Sequence, residues 1–128
     1  MVTDLIAAAL RARQGAVAPH SRFKVGAALL CPDGGIVTGA NVESASYGLT
    51  CCAERVALFK ALTAGQRDFV AVAVVARMTG GATPCGACRQ LLFEYAPDAI
   101  VFVADSRRPA KVKKFTVREL LPRGFRLE

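Results

Sequence analysis

No apolar run in this chain is long enough to cross a bilayer: the longest, Phe69 to Ala76, falls far short of the roughly 20 residues a spanning helix needs. The amino terminus carries neither the basic cluster nor the cleavage-site pattern of a secretory leader, so we expect a soluble, cytoplasmic protein with no membrane contact. No internal repeat, linker or low-complexity tract interrupts the sequence. Its 128 residues are expected to form a single domain over 1–128 with one proper core. Aromatic residues are scarce, at 7%, and that bears on the formal charge of +7. Much of the positive excess lies late, in Arg107, Arg108, Lys111, Lys113, Lys114, Arg118, Arg123 and Arg126. That segment has few interleaved aromatics and no recognisable nucleic-acid module around it. The expected reading is a solvated basic edge, with no nucleic-acid partner.

A disulfide framework is also missing. The five cysteines are odd in number and irregularly spaced, and Cys51 and Cys52 are adjacent. Clustered cysteines in a chain without an export signal point to metal or catalysis. Cys31, just before the Pro32-Asp33-Gly34-Gly35 turn, lies outside the cluster and reads as a small buried hydrophobe.

What is present reads as alternating helices and strands. Thr3 is expected to cap a helix running to about Gly15, with Leu5, Ile6, Ala9 and Leu10 as its apolar stripe. Phe23 to Leu30 reads as a strand, and Ile36 to Ala40 as its hairpin partner across the Pro32–Gly35 turn. Asn41 to Thr50 is a polar loop. A second helix is expected from Cys51 or Cys52 to a terminating Gly65. Phe69 to Arg77 has the β-branched, nearly continuous apolar character of a strand covered on both faces. A third helix, Cys85 to Tyr95, precedes a strand at Ile100 to Ala104 and a short fifth strand at Val112 to Phe115. Thr116-Val117-Arg118-Glu119 matches a capping box for a last short helix. This order predicts an α/β layer protein in which two strand-helix-strand units make part of the sheet parallel.

The chemistry concentrates in Cys52-Ala53-Glu54 and Pro84-Cys85-Gly86-Ala87-Cys88. Three soft ligands leave a tetrahedral zinc with one open position, which separates a catalytic site from a structural one. Both clusters fall at predicted helix amino termini, where free N–H groups and the helix dipole favour thiolate over thiol. Cys85 and Cys88 stand three apart and so lie on one side of the first turn. Glu54 is then free to carry protons. Three thiolates and Zn²⁺ sum to a net negative centre, a weaker Lewis acid, and Arg55 is the candidate donor that draws charge off the sulfurs. Cys51 competes with Cys52 for the first ligand position, but only Cys52 places the acid two residues on, the spacing of the zinc deaminases. Cys51 completing a closed four-sulfur site, and Cys85/Cys88 acting as a redox couple, are the alternatives.

Beyond the zinc segments, the chain resembles the cytidine deaminase family in its short, homotetrameric form. Ser21-Arg22-Phe23-Lys24-Val25-Gly26-Ala27-Ala28-Leu29-Leu30 looks like the family's first strand, and Asn41-Val42-Glu43-Ser44-Ala45-Ser46-Tyr47-Gly48 like its ribose-binding loop. Cys52-Ala53-Glu54-Arg55 and Pro84-Cys85-Gly86-Ala87-Cys88-Arg89-Gln90 look like its two zinc segments, and Glu119-Leu120-Leu121-Pro122 with Phe125 like its closing stretch. His20 and Ser44 stand where the family often has tyrosine and asparagine.

The resemblance implies a three-layer α/β/α fold with a mixed five-stranded sheet. It implies one Zn²⁺ per chain on Cys52, Cys85 and Cys88, with Glu54 as proton shuttle. Asn41 and Glu43 are implied to bind the ribose 3′-hydroxyl, Phe23 to pack on the pyrimidine, and the Ala53 N–H to meet the base carbonyl. The implied reaction is hydrolysis of cytidine and deoxycytidine to uridine and deoxyuridine with release of ammonia, in pyrimidine salvage. The implied assembly is a homotetramer with shared sites, Phe125 reaching a neighbour's pocket. A deaminase of another aminated pyrimidine, such as blasticidin S, is the alternative. A free-nucleoside substrate is supported physically as well, since an ionised Glu43 accepts from a 3′-hydroxyl but repels a 3′-phosphate.

Overall fold

In the computed structural model, which describes residues 1–127, the continuous apolar run becomes the middle of a five-stranded sheet. Ala71–Ala76 (β3) is buried along its whole length, as a strand covered on both faces must be. Val25–Leu30 (β1) and Ile36–Ala40 (β2) form the expected hairpin, and Ile100–Asp105 (β4) and Val112–Thr116 (β5) complete the order β2-β1-β3-β4-β5. β1 runs antiparallel to both β2 and β3, β3 is parallel to β4, and β5 is antiparallel to β4. The sheet is therefore mixed, with β2, β3 and β4 pointing the same way.

Helices cover both faces. Val2–Arg13 (α1) packs Leu5, Ile6, Ala8 and Ala9 against Ala28, Ala73 and Val75 on one side. Ala53–Thr63 (α2), Gly86–Tyr95 (α3) and the short Val117–Leu120 (α4) cover the other, over Ala27, Leu29, Val72, Val74, Val101 and Val103. Cys31 belongs to that second core, and burial pushes its thiol pKa up. This is the three-layer α/β/α arrangement. No described helix is long and apolar enough to cross a membrane.

Two glycines set how closely the helices sit. A Cβ on Gly26 would lie 1.9 Å from the Ala9 carbonyl oxygen of α1, and one on Gly39 would lie 2.5 Å from the Ala57 nitrogen and 2.6 Å from the Ala53 oxygen of α2. Backbone of α2 thus rests directly on β2, fixing the helix that begins at Cys52. The far end of α2 closes as the sequence suggests. Gly65 takes φ +96°, and its N–H and that of Gln66 reach back to the Leu62 and Ala61 carbonyls, the Schellman pattern. The capping box on α4 also forms, Glu119 N–H to Thr116 Oγ1 and Thr116 N–H to Glu119 Oε1.

Several boundaries differ from expectation, among them the start of β3 at Ala71 rather than Phe69. Thr3 does not cap α1: the helix begins at Val2, the Leu5 N–H bonds the Met1 carbonyl, and Val2 packs on the core. It ends at Arg13, before Gly15. The first strand starts at Val25 rather than Phe23, because Arg22 turns the chain at φ +59° and the Ser21 hydroxyl takes the Phe23 N–H away from any ladder.

Candidate active site

Because β2 and β3 point the same way, the loops that leave their ends deliver α2 and α3 side by side with both amino termini at one edge of the sheet. Cys52 is the N-cap of α2 and Cys85 the N-cap of α3, with nearly the same extended backbone (φ −68°, ψ 154° and φ −67°, ψ 169°). An N-cap side chain ordinarily accepts from the first-turn N–H groups. Neither sulfur does so, and both are left to face each other. Cys52 Sγ is 3.6 Å from Cys85 Sγ, which is 3.5 Å from Cys88 Sγ one turn along α3. All three lie within 4.8 Å of one another, and Cys51 is not in this group.

The donor set fits zinc. Tetrahedral Zn–S bonds of about 2.3 Å require sulfurs about 3.8 Å apart, close to what the free thiols already adopt. Three sulfur ligands would leave one position of a tetrahedral ion free, and Cys52 and Cys85 border a cavity. The electrostatics are prepared in the same sense. The hydrogen bond with Cys88 is the largest cause drawing the Cys52 thiol down to about 5; burial opposes, while Arg55 and Cys85 add to the effect. The Cys88 thiol is pushed up, first by keeping its proton toward Cys52 and then by burial. One thiolate is thus already favoured at neutral pH before metal arrives.

Glu54 is only 5% exposed. Burial, with the neighbouring Cys52 thiolate adding, pushes its carboxyl up to about 7, and Arg55 opposes the shift. A carboxyl near neutrality takes and returns protons with little driving force wasted either way. Arg55 donates from Nη2 to Cys52 Sγ at 3.4 Å and to the Thr50 carbonyl at 3.3 Å. Its Nε is buried without a hydrogen-bond partner among the described residues. Removing one donor from a metal ligand typically costs 10- to 100-fold in affinity or activity. Arg55→Gln is therefore expected to lower turnover or zinc retention by about tenfold, checked by metal content and kcat; unchanged values for both would leave Arg55 no such role.

The cavity in front of the sulfurs is about 200 Å³ and is lined by Phe23, Asn41, Glu43, Cys52, Ala53, Glu54 and Cys85, with Val74 of β3 among its walls. Cys88 lies behind it, buried. Ala53 is the first residue of α2, so its N–H is among those a helix leaves unbonded. Phe125 is elsewhere: it is 65% exposed, with its carbonyl held by Gln90 Nε2 at 2.8 Å.

Asn41 and Glu43 do more than line a pocket. Asn41, buried, accepts the Val25 N–H on Oδ1 and donates to the Phe23 carbonyl from Nδ2. Glu43 Oε1 accepts from the His20 and Ser21 N–H groups, and Oε2 accepts from the Ser21 hydroxyl. The Ser21 hydroxyl is the leading cause that keeps the Glu43 carboxyl below its ordinary pKa, so it stays ionised. Together they pin the segment that presents Phe23.

Ser21, Val25, Thr50, Ala82 and Thr83 also border the cavity, beyond the site residues expected from the sequence. Ser21 had a usable signal, a hydroxyl two residues before Phe23 able to make a local turn. Arg89 had none. Its guanidinium bonds the Pro84 carbonyl, the Leu120 carbonyl and Thr83 Oγ1, clamping the approach to Cys85 from α4.

Residues 2–104 match the model of the cytidine and deoxycytidylate deaminase zinc-binding region. The chain belongs to that family. It is 53% identical to a cytidine deaminase of Halalkalibacterium halodurans, covering 97% of this chain and 93% of the relative. The solved cytidine deaminase of Burkholderia pseudomallei superposes with a TM-score of 0.91 at 49% identity, over 95% of this chain and 97% of that one. A blasticidin-S deaminase of Bacillus cereus is more distant, at 33% identity over 80% of this chain and 76% of the relative.

Proposed function

We propose that the protein hydrolyses the exocyclic amine of free cytidine and deoxycytidine, giving uridine or deoxyuridine and ammonia, and serves pyrimidine salvage in the cytoplasm. The observation that carries this reading is one cavity holding Phe23, Asn41, Glu43 and Glu54 beside the open side of a three-sulfur cluster. Zinc held by Cys52, Cys85 and Cys88 supplies a water activated at neutral pH. Every other step belongs to the chain. Glu54 takes a proton from the attacking water and delivers it to ring N3 as C4 becomes tetrahedral. It then passes the second proton to the amine, which leaves as ammonia while the C4 oxygen becomes the carbonyl. The Ala53 N–H holds the base carbonyl, and the half-exposed Phe23 ring covers one face of the pyrimidine.

Glu43 supports a nucleoside over a nucleotide. Its carboxylate is ionised and anchored, so it accepts from a 3′-hydroxyl and repels a 3′-phosphate. Asn41 has its oxygen and one N–H committed to the backbone of residues 23 and 25, leaving one N–H for the ribose.

The loop between Asn41 and Thr50, both of which line the pocket, carries exposed apolar side chains, Val42 at 45%, Tyr47 at 79% and Leu49 at 74%, which a neighbouring chain would cover. A homotetramer in which Phe125 reaches a neighbour's pocket is the assembly we assign to this surface. Cytidine, deoxycytidine, cytosine, blasticidin S and cytidine 3′-monophosphate assayed side by side test the reading. The two free nucleosides are expected to be turned over, with the 3′-phosphate losing about tenfold or more in kcat/KM. Light scattering on the same sample is expected to give a tetramer. Preference for blasticidin S, or a fully active monomer, would contradict the respective parts.

A further inference from the structure

A second cavity lies apart from the one that holds the sulfurs. It measures about 590 Å³ and is bordered by Thr79, Gly80, Asp105, Arg107, Arg108, Lys111 and Lys113, with no residue in common with the nucleoside pocket. It opens at the same end of the sheet, where the chain leaves β3 and β4. Four cations face one carboxylate there. That carboxylate is already used: Asp105, 7% exposed, receives Arg107 Nε at 3.0 Å and Nη2 at 2.8 Å, and the Arg107 N–H as well.

The loop is folded to bring charge to one rim. The Arg108 N–H bonds the Asp105 carbonyl at 2.9 Å and the Lys111 N–H bonds the Arg108 carbonyl at 3.0 Å, two successive turns. Arg107 Nη2 also reaches Thr79 Oγ1 at 3.4 Å, joining this loop to the one after β3. Lys113 comes in from β5, its Nζ 2.9 Å from where a Cβ on Gly80 would stand, so the ammonium lies over a residue that has no side chain. Among the described residues, Arg108, Lys111 and Lys113 have no carboxylate partner. Unpaired like charges around a concavity repel one another and focus a positive potential into it. Three such groups exceed what one singly charged ion balances, and the volume lies within the range of small-molecule sites.

We infer that this cavity is a binding site for a small polyphosphate anion, separate from the nucleoside pocket. Arg107, oriented by Asp105, and Arg108 would take phosphate oxygens through their N–H groups, and Lys111 and Lys113 would supply point charges. Free polyphosphate and the phosphates of a polynucleotide share this chemistry, and the gathering of all four cations around one concavity of about 590 Å³ favours the former.

The test is calorimetric titration of the full-length, zinc-loaded protein with inorganic triphosphate at low ionic strength. Saturable binding is expected, weakened about tenfold or more in Lys111→Gln/Lys113→Gln and little changed in Arg11→Gln/Arg123→Gln, which removes equal charge outside the cavity. Turnover of cytidine by the Lys111→Gln/Lys113→Gln variant without triphosphate is expected to match the unmodified protein, and saturating uridine is expected not to displace the anion. No saturable binding, equal loss in both double variants, or displacement by uridine would overturn the proposal. So would a single-stranded oligonucleotide that binds more tightly than triphosphate and depends on the same two lysines, because it would make this a polynucleotide surface. Triphosphate binding and its loss in the variants are read without reference to turnover, so they stand or fall apart from the deaminase reading.

Discussion

Glu54→Gln is expected to keep about one zinc per chain while kcat for cytidine falls by about 10²- to 10⁴-fold, the usual contribution of a positioned acid–base group. Glutamine fills the same buried space and preserves hydrogen bonding but has no proton to exchange. Glu54 is two residues beyond Cys52 on the first turn of α2, lies in the cavity wall, and is outside the sulfur cluster. Substrate should still bind, since Phe23, Asn41, Glu43 and Ala53 are untouched. The informative comparison is metal content beside turnover. Loss of zinc along with activity would make Glu54 a ligand or a prop for one.

Cys88→Ser is expected to have an effect as large by a different route: zinc is lost and activity with it. Cys88 is the most deeply buried of the three sulfurs, at 1% exposed, and sits at the third position of α3, where the helix fixes its direction. A serine hydroxyl ionises far less readily than a thiol and leaves two sulfurs to hold the ion. Metal analysis after dialysis should show the variant largely empty, with Cys31→Ser and Cys51→Ser still loaded. Zinc loading is also expected to depend on pH. Zinc must displace the proton from the Cys88 thiol, which its neighbour and burial hold tightly, so acidification favours the proton and releases metal. Zinc retained by Cys88→Ser would mean that another group completes the site.

Much of this site could be read from the chain because its parts are short, local and chemically distinctive. A cysteine two residues before a glutamate, and two cysteines three apart, each at a helix start, carry their geometry with them once the helices form. The Val/Ala-rich β3 and the Thr116–Glu119 capping box are legible for the same reason. Residues whose meaning depends on contact across the fold are not. Nothing local tells Asn41 apart from a turn residue, yet it is a buried clamp on residues 23 and 25. Arg89 reads as an ordinary helix arginine until α4 brings the Leu120 carbonyl to it. Thr3 misled in the opposite direction, having the right side chain for a cap but lying inside a helix that core packing extends to Val2. The basic residues between Arg107 and Lys113 look like a solvated edge in sequence, and only folding of two turns against the loop after β3 gathers them around one cavity.

The measurement that bears most directly on the whole account is X-ray absorption at the zinc edge of the loaded protein. Three sulfurs at about 2.3 Å and one lighter atom at about 2.0 Å are expected, the lighter atom being exchangeable solvent. Four sulfurs, or a fourth ligand supplied by the protein, would close the vertex on which the proposed hydrolysis depends and contradict it.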